Sequence, residues 1–226
     1  MKEHNINMDG LSVCIGMPST RDIHPLTVKS LFATQMLCLQ YKIPCQLAMV
    51  AGNAVVQWAR DEVIDLFLQS TSNRLFCIDS DIVWDAKDFV RLLALSQVKD
   101  VLCASYTAKK DQPTFYIRHD PEKLTMDEYG LIEVMGAGLG FTVIRREVVE
   151  RIYGKSPRLF DEISGREMAS IFHVGSIEGK RRGEDMSFFE AIIGEGYKIN
   201  LDPSINLGHI GMKVYTGKVM DALRLE

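Results

Sequence analysis

Four short, mostly apolar runs alternate with helical segments through the first half of this chain, and that alternation restricts the fold more than any other feature. Residues 11–15 read as a buried strand ended by Gly16, Met17 and Pro18, and residues 46–50, 75–78 and 101–105 as further strands. Between them lies a helical segment, 25–41, with Val28, Leu31, Phe32, Met36 and Leu39 at helical spacing. A second opens after Gly52 and Asn53 and carries Val56, Ala59, Val63, Leu66 and Phe67 on one face. A third has Asp85 as its N-cap and buries Phe89, Leu92 and Leu93. The order β-α-β-α-β-α-β implies a mostly parallel sheet with helices on both faces, and a ligand site along the carboxyl edge of its strands.

The second half is less regular. Residues 114–118 and 131–134 read as strands around a polar excursion, and 140–144 as a strand leading into a helix at 145–152. Residues 157–183, glycine-rich and charged without periodicity, read as a mobile loop. A helix over 184–193 follows, closed by Gly194 and Gly196, and 203–207 is strand-like. No repeat or linker divides the 226 residues, so the expectation is one α/β domain over 1–226. A net charge of -4 argues against a broad electrostatic grip on nucleic acid or acidic membrane. Cys14, Cys77 and Cys103 sit in apolar strand-like runs, and the five cysteines form no CxxC pair, a pattern suited to a reducing compartment. With no signal-type start and no run long enough to span a bilayer, the expectation is a cytoplasmic protein without an integral membrane segment.

The strand at 75–78 runs straight into Asp79-Ser80-Asp81. If the strand period continues, both carboxylates point to one side at the sheet's carboxyl edge, where they suit a hard cation such as Mg²⁺ or Mn²⁺ and the phosphates of a nucleotide. The alternative is a turn capped by the two aspartates. Glu184 and Asp185 open a helix, where capping and the helix dipole explain acids and also keep a carboxylate ionised. His209 lies between Gly208 and Gly211 and reads either as a structural histidine or as an imidazole free to swing towards a site.

Together, residues 13–19, 58–61, 77–82, 136–146, 183–189 and 208–211 resemble, in order, the nucleotide-sugar-dependent glycosyltransferases of the GT-A fold, especially small, inverting, family-two-like bacterial and phage members. The resemblance covers nearly the whole chain. It implies the GT-A form of a Rossmann-like, mixed and mostly parallel sheet flanked by helices. Asp79-Ser80-Asp81 matches the family's DxD motif. By that match Asp81 binds Mn²⁺ or Mg²⁺ directly, Asp79 contacts the ribose or a metal-bound water, and His209 completes the metal shell, with His173 the weaker competitor.

By the same resemblance Asp185 is the general base and Glu184 orients the acceptor. Pro18, Ser19, Thr20 and Arg21 cradle the nucleobase and ribose. Arg60 approaches the nucleotide, or is a solvated helix arginine; Asp61 stands where relatives carry asparagine. Gly138, with Gly136, gives close backbone approach beneath the donor sugar, or marks a strand bulge. Arg145 and Arg146 read as a solvated helix start rather than a phosphate clamp. The segment 157–183, with Lys180, Arg181 and Arg182, is expected to be a lid over the donor. The implied reaction moves a sugar from a nucleoside-diphosphate sugar, UDP-sugar as first guess, to a hydroxyl of a glycan or lipid-linked glycan. A modified DNA base is a more remote acceptor. The alternatives are a nucleotidyltransferase of related fold, against which 16–21 lacks a lysine-bearing phosphate loop, and a non-catalytic nucleotide-sugar-binding protein.

Overall fold

The computed structural model describes residues 6–20, 22–162, 165–177 and 179–222. The first half alternates as the sequence predicts: β1 (Val13–Ser19), α1 (Pro25–Gln40), β2 (Cys45–Ala51), α2 (Val56–Gln69), β3 (Arg74–Ile78), a short β4 (Ile82–Val83), α3 (Ala86–Leu95) and β5 (Val101–Cys103). Asp85 caps α3 by accepting from the Lys87 N–H, and Asn53 closes the turn before α2 by accepting from Val55. Then come β6 (Ile132–Val134), β7 (Phe141–Arg145), α4 (Arg146–Lys155), β8 (Arg158–Asp161), β9 (Arg166–Ala169), β10 (Gly175–Ile177), β11 (Lys180–Arg182), α5 (Glu184–Gly194), β12 (Ile199–Leu201), β13 (Gly208–Ile210), β14 (Val214–Thr216) and α6 (Val219–Ala222).

Seven strands form the main sheet in the order β2-β1-β3-β7-β5-β12-β6. β1 is parallel to β2 and β3, and β12 to β5, while β7 runs against both β3 and β5 and β6 runs against β12. Five strands therefore share one direction. One face packs under Val63 and Phe67 of α2, Val148 of α4 and Phe188 of α5; the other packs under Phe89, Leu92 and Leu93 of α3 and Cys38 of α1. The carboxyl ends of β1, β3 and β5 thus meet along one edge, as the alternation requires.

Four sequence expectations are corrected. Residues 114–118 form no strand. Pro113 precedes them, and an isolated bridge between Arg118 and Gly136 stands in place of a strand ladder. Residues 203–207 are not a strand either: Asp202 accepts from the backbone and hydroxyl of Ser204 and holds a turn there. Pairing instead falls to β12 and β13 on either side. Residues 157–183 contain two hairpins, β8–β9 and β10–β11. Finally, the apolar stripe of α1 faces outwards, with Phe32 70%, Met36 67% and Leu39 61% exposed.

The last correction has a clear cause. The buried face of α1 is Thr27, Ser30, Thr34 and Cys38. Thr27 donates to the Ile82 carbonyl, Ser30 to the Trp84 carbonyl, and the Trp84 indole donates to Thr34. Inward hydroxyls satisfy the backbone and the indole just beyond Asp81, which an apolar face would leave unpaired.

Candidate functional site

β3 stops at Ile78, one residue before the aspartates. The Ile82 N–H then bonds back to the Asp79 carbonyl at 3.1 Å, so residues 79–82 are a tight turn in which Ser80 takes a middle position. The strand period therefore does not extend through the pair, and the two carboxylates have different partners.

Asp79 faces inwards. Its Oδ1 lies 3.1 Å from Arg60 Nη2, and its Oδ2 accepts from the Tyr106 hydroxyl at 3.1 Å. Room for this carboxylate comes from Gly140, where a Cβ would collide with it. Gly138 packs on Tyr106; a Cβ there would lie 2.6 Å from the hydroxyl oxygen, so this glycine shapes the site through that ring.

Arg60 is 5% exposed and is not the solvated helix arginine of the alternative reading. From α2 its Nη2 also reaches Asp185 Oδ1 at 3.2 Å, and its Nε stands 4.0 Å from Glu184 Oε1. Burial opposes its charge, but the carboxylates of Asp79 and Asp185 outweigh that and hold its pKa above the ordinary value. Asp61, its neighbour, is buried too. Its Oδ1 accepts from the Ile171 and Phe172 N–H groups at 2.8 and 3.1 Å, which seats the Phe172 ring 6.0 Å from the Arg60 guanidinium.

Glu184 and Asp185 occupy the first turn of α5, as the sequence predicts. Asp185 Oδ2 accepts from the Leu139 N–H at 3.2 Å, while Oδ1, paired by charge with Arg60, has no hydrogen-bond donor. Burial is the main force on this carboxyl; with Asp79 and Glu184 nearby it outweighs Arg60 and pushes the pKa up to about 6. One oxygen is fixed by the backbone and the other has accepting capacity to spare.

Asp81 faces His209 and Lys109. β13 pairs with β4 (His209 opposite Ile82), and the Ile210 N–H bonds to the Asp81 carbonyl. His209 Nδ1 meets the Thr107 carbonyl at 2.8 Å. A carbonyl only accepts, so Nδ1 carries a hydrogen on that side, and Nε2 is the ring nitrogen left to face Asp81 Oδ2, at 3.4 Å, and to donate to it whenever it too carries a proton. Burial works against the Asp81 charge, but hydrogen bonds from His209 and Lys109 outweigh it and hold the carboxyl below its ordinary range. The Tyr106 ring stands edge-on to His209, with centroids 4.9 Å apart, and so separates the Asp79 and Asp81 halves.

Among the described residues no three His, Cys, Asp or Glu side chains converge as a metal-binding group. The Asp81–His209 pair nevertheless fits a divalent ion. It joins an oxygen to an imidazole nitrogen whose second ring N–H is anchored on a carbonyl, and such ions complete their shell with phosphate oxygens and water.

The remaining predicted residues are placed as follows. Pro18 and Ser19 end β1 at the same edge, beyond the last rung with β3 at Gly16–Cys77, and Arg21 lies outside the described residues. His173 is exposed, with Nδ1 against the Ile171 carbonyl, and no described contact joins it to either aspartate. Arg182 pairs with Glu190, as does Arg118. Arg145 and Arg146 form neither a solvated start nor a phosphate clamp. Arg145 donates to the Ser96 and Gln97 carbonyls after α3, and Arg146 to those of Phe67, Ser70 and Ser72 at the end of α2.

Sequence reasoning missed Tyr106 and Lys109. Both follow β5 at the carboxyl edge, a position that the alternation alone marks as facing a site.

Comparison with solved structures bears on the fold. A197 from STIV aligns over 89% of this chain and 86% of its own, with 23% identity and a TM-score of 0.57. GalNAc-T7, solved with UDP, GalNAc and Mn²⁺, aligns over 92% of this chain and 45% of its own, with 11% identity and a TM-score of 0.55. No family model and no curated protein matches the chain. At these identities the likeness is one of fold: the chain has a GT-A-like α/β fold. No helix among the described residues is long and apolar enough to cross a membrane.

Proposed function

We propose that this protein is a metal-dependent glycosyltransferase, one GT-A domain that moves a sugar from a nucleoside-diphosphate sugar to an acceptor hydroxyl with inversion. The observation that carries the reading is Asp185: Oδ2 is pinned by the Leu139 N–H, Oδ1 has no donor, and the carboxyl sits at the mouth of α5 beside Asp79. A carboxylate with a pKa near 6 is ionised at neutral pH and a stronger base than an ordinary one. Asp185 Oδ1 takes the acceptor's proton as the acceptor oxygen bonds to the anomeric carbon. The bond from that carbon to the phosphate oxygen breaks with its electron pair, and the nucleoside diphosphate departs. Glu184 orients the acceptor, while Arg60 keeps Asp79 and Asp185 apart in charge.

Asp81 and His209 would hold Mn²⁺ or Mg²⁺, which neutralises the leaving diphosphate when bound. The donor lies along Pro18, Ser19, Asp79, Ser80 and Gly138, with UDP-sugar the first candidate, and 157–183 closes over it as a lid. A glycan or lipid-linked glycan is the expected acceptor. GalNAc-T7, solved with UDP, GalNAc and Mn²⁺, supports the donor and metal assignment by fold alone. Five unpaired cysteines support a cytosolic setting.

Incubating the protein with a panel of nucleotide sugars and Mn²⁺, Mg²⁺ or chelator tests this. Metal-dependent release of one nucleoside diphosphate, lost in Asp81→Ala, is the expected result. Release of pyrophosphate would mark a nucleotidyltransferase, and binding without turnover a non-catalytic protein.

A further inference from the structure

Asp81 is already neutralised by a cation that belongs to the chain. Lys109 Nζ donates to Asp81 Oδ2 at 2.6 Å, the same oxygen that His209 Nε2 faces at 3.4 Å. An ammonium and a divalent ion held by Asp81 and His209 therefore claim one oxygen, and like charges exclude each other there.

Lys109 is seated for this contact. A Cβ at Gly211 would lie 3.1 Å from Lys109 Cδ and 3.1 Å from Tyr215 Cε2, so the bare glycine leaves the slot that the lysine stem fills. The loop that carries it is tied down by bonds from Ala108 N to the Thr114 carbonyl and from Thr114 N to Thr107 Oγ1. The Thr107 carbonyl also orients His209, so both groups facing Asp81 hang from one junction. The ammonium is not locked in place, because Lys109 and Asp81 side chains are 40% and 38% exposed. A flexible four-carbon stem can carry it to a neighbouring oxygen with little desolvation. The next lysine is directed elsewhere: Lys110 Nζ lies over the Tyr116 ring at 5.9 Å.

We propose that Lys109 is the site's resident cation: it neutralises Asp81 in the ion-free protein, yields Oδ2 to an arriving divalent ion, and then binds a phosphate oxygen of the nucleoside diphosphate. The phosphate half rests on the glycosyltransferase reading; the competition at Asp81 does not. One residue thus has two opposite effects. Without Lys109 the divalent ion alone binds more tightly, and the nucleoside diphosphate binds less tightly once the ion is present. A lysine that merely supports the loop would weaken both, and a solvated one would alter neither.

The test uses the whole chain and Mn²⁺, with free ion read by electron paramagnetic resonance in the absence of nucleotide. Lys109→Met is expected to bind Mn²⁺ about fivefold more tightly than wild type, the scale of a half-exposed ion pair, while Lys110→Met matches wild type. Gly211→Ala crowds the lysine stem and is expected to move in the same direction, which covers the case in which Lys109→Met folds poorly by circular dichroism. In calorimetry with saturating Mn²⁺, Lys109→Met is expected to bind UDP roughly tenfold more weakly. Equal or weaker Mn²⁺ binding by both variants, or no Mn²⁺ bound by any chain, would overturn the competition. Unchanged UDP affinity would overturn the phosphate half. A wild type that binds Mn²⁺ but no nucleoside diphosphate would overturn the transferase reading and the phosphate half together, leaving the competition to stand on its own titration.

Discussion

Arg60 places one positive charge between two carboxylates that would otherwise repel each other in a poorly hydrated space. Its charge opposes the upward push of burial on Asp185, so the two residues set the base's working range together. If Asp185 is the base, kcat/KM falls as pH drops below about 6, because the protonated carboxyl cannot accept the acceptor's proton. Asp185→Asn should lose roughly 10²–10⁴ in rate, and its residual activity should lack that acid limb. Arg60→Met removes the influence that lowers the Asp185 pKa, so its limb should move to higher pH. A pH–rate profile on the three proteins checks all of this, and an unmoved limb in Arg60→Met would contradict the coupling. Little of this arrangement was legible beforehand. Asp79, Asp185 and Arg60 stand out as residue types beside motifs, but their meeting point depends on contacts across more than a hundred residues.

At the scale of elements, side chains read as surface features instead hold the framework. Asp61 ties α2 to the backbone before His173, and burial raises its pKa from 3.8 to about 6 even though two N–H groups work the other way. The folded-state value lies above the unfolded one. Its contribution is therefore full below about pH 4 and is lost as pH rises through about 6. An asparagine side chain at this position would accept the same N–H groups without a charge to bury. Asp61→Asn should thus match wild type near pH 4 and exceed its stability by up to about 3 kcal/mol at pH 8, read by thermal melts across pH. Arg146 sits under three carbonyls around the end of α2, with its guanidinium 4.5 Å from the Phe67 ring centroid. Losing a cation from a helix C-terminus together with its hydrogen bonds should cost about 2 kcal/mol. For Arg146→Ala that is a melting point lower by roughly 4–8 °C, with UDP affinity unchanged. Periodicity located α2 and α3 because their apolar faces are the buried ones, and the acids and glycines at its ends located α5. It misjudged α1, whose inward hydroxyls are satisfied only by a distant backbone, and it passed over β12 and β13, which pair correctly at three residues each only through partners far along the chain.

Across the molecule, the sheet sorts its two ends. A cavity of about 970 Å³, lined by Lys99, Asp127, Glu133 and Lys198 among others, lies at the amino-terminal ends of β5 and β12 and includes none of the candidate site residues. The carboxyl edge instead gathers the Asp79–Arg60–Asp185 array and the Asp81–His209–Lys109 group on either side of Tyr106. β-α alternation made that edge legible from sequence, because parallel strands joined by helices must end together. The loops that furnish Tyr106 and Lys109 carry no periodic signal, so alternation marks their place at the edge while the assembled sheet shows which carboxylates they touch. The most direct test of the account is calorimetric titration of UDP into the wild-type protein and Asp81→Asn, each with Mn²⁺ and with chelator. Binding to the wild type that strengthens with Mn²⁺, and loses that gain in Asp81→Asn, is the predicted result. UDP binding that is absent, or indifferent to both Mn²⁺ and Asp81, would contradict the assignment of this edge as a nucleotide-sugar site.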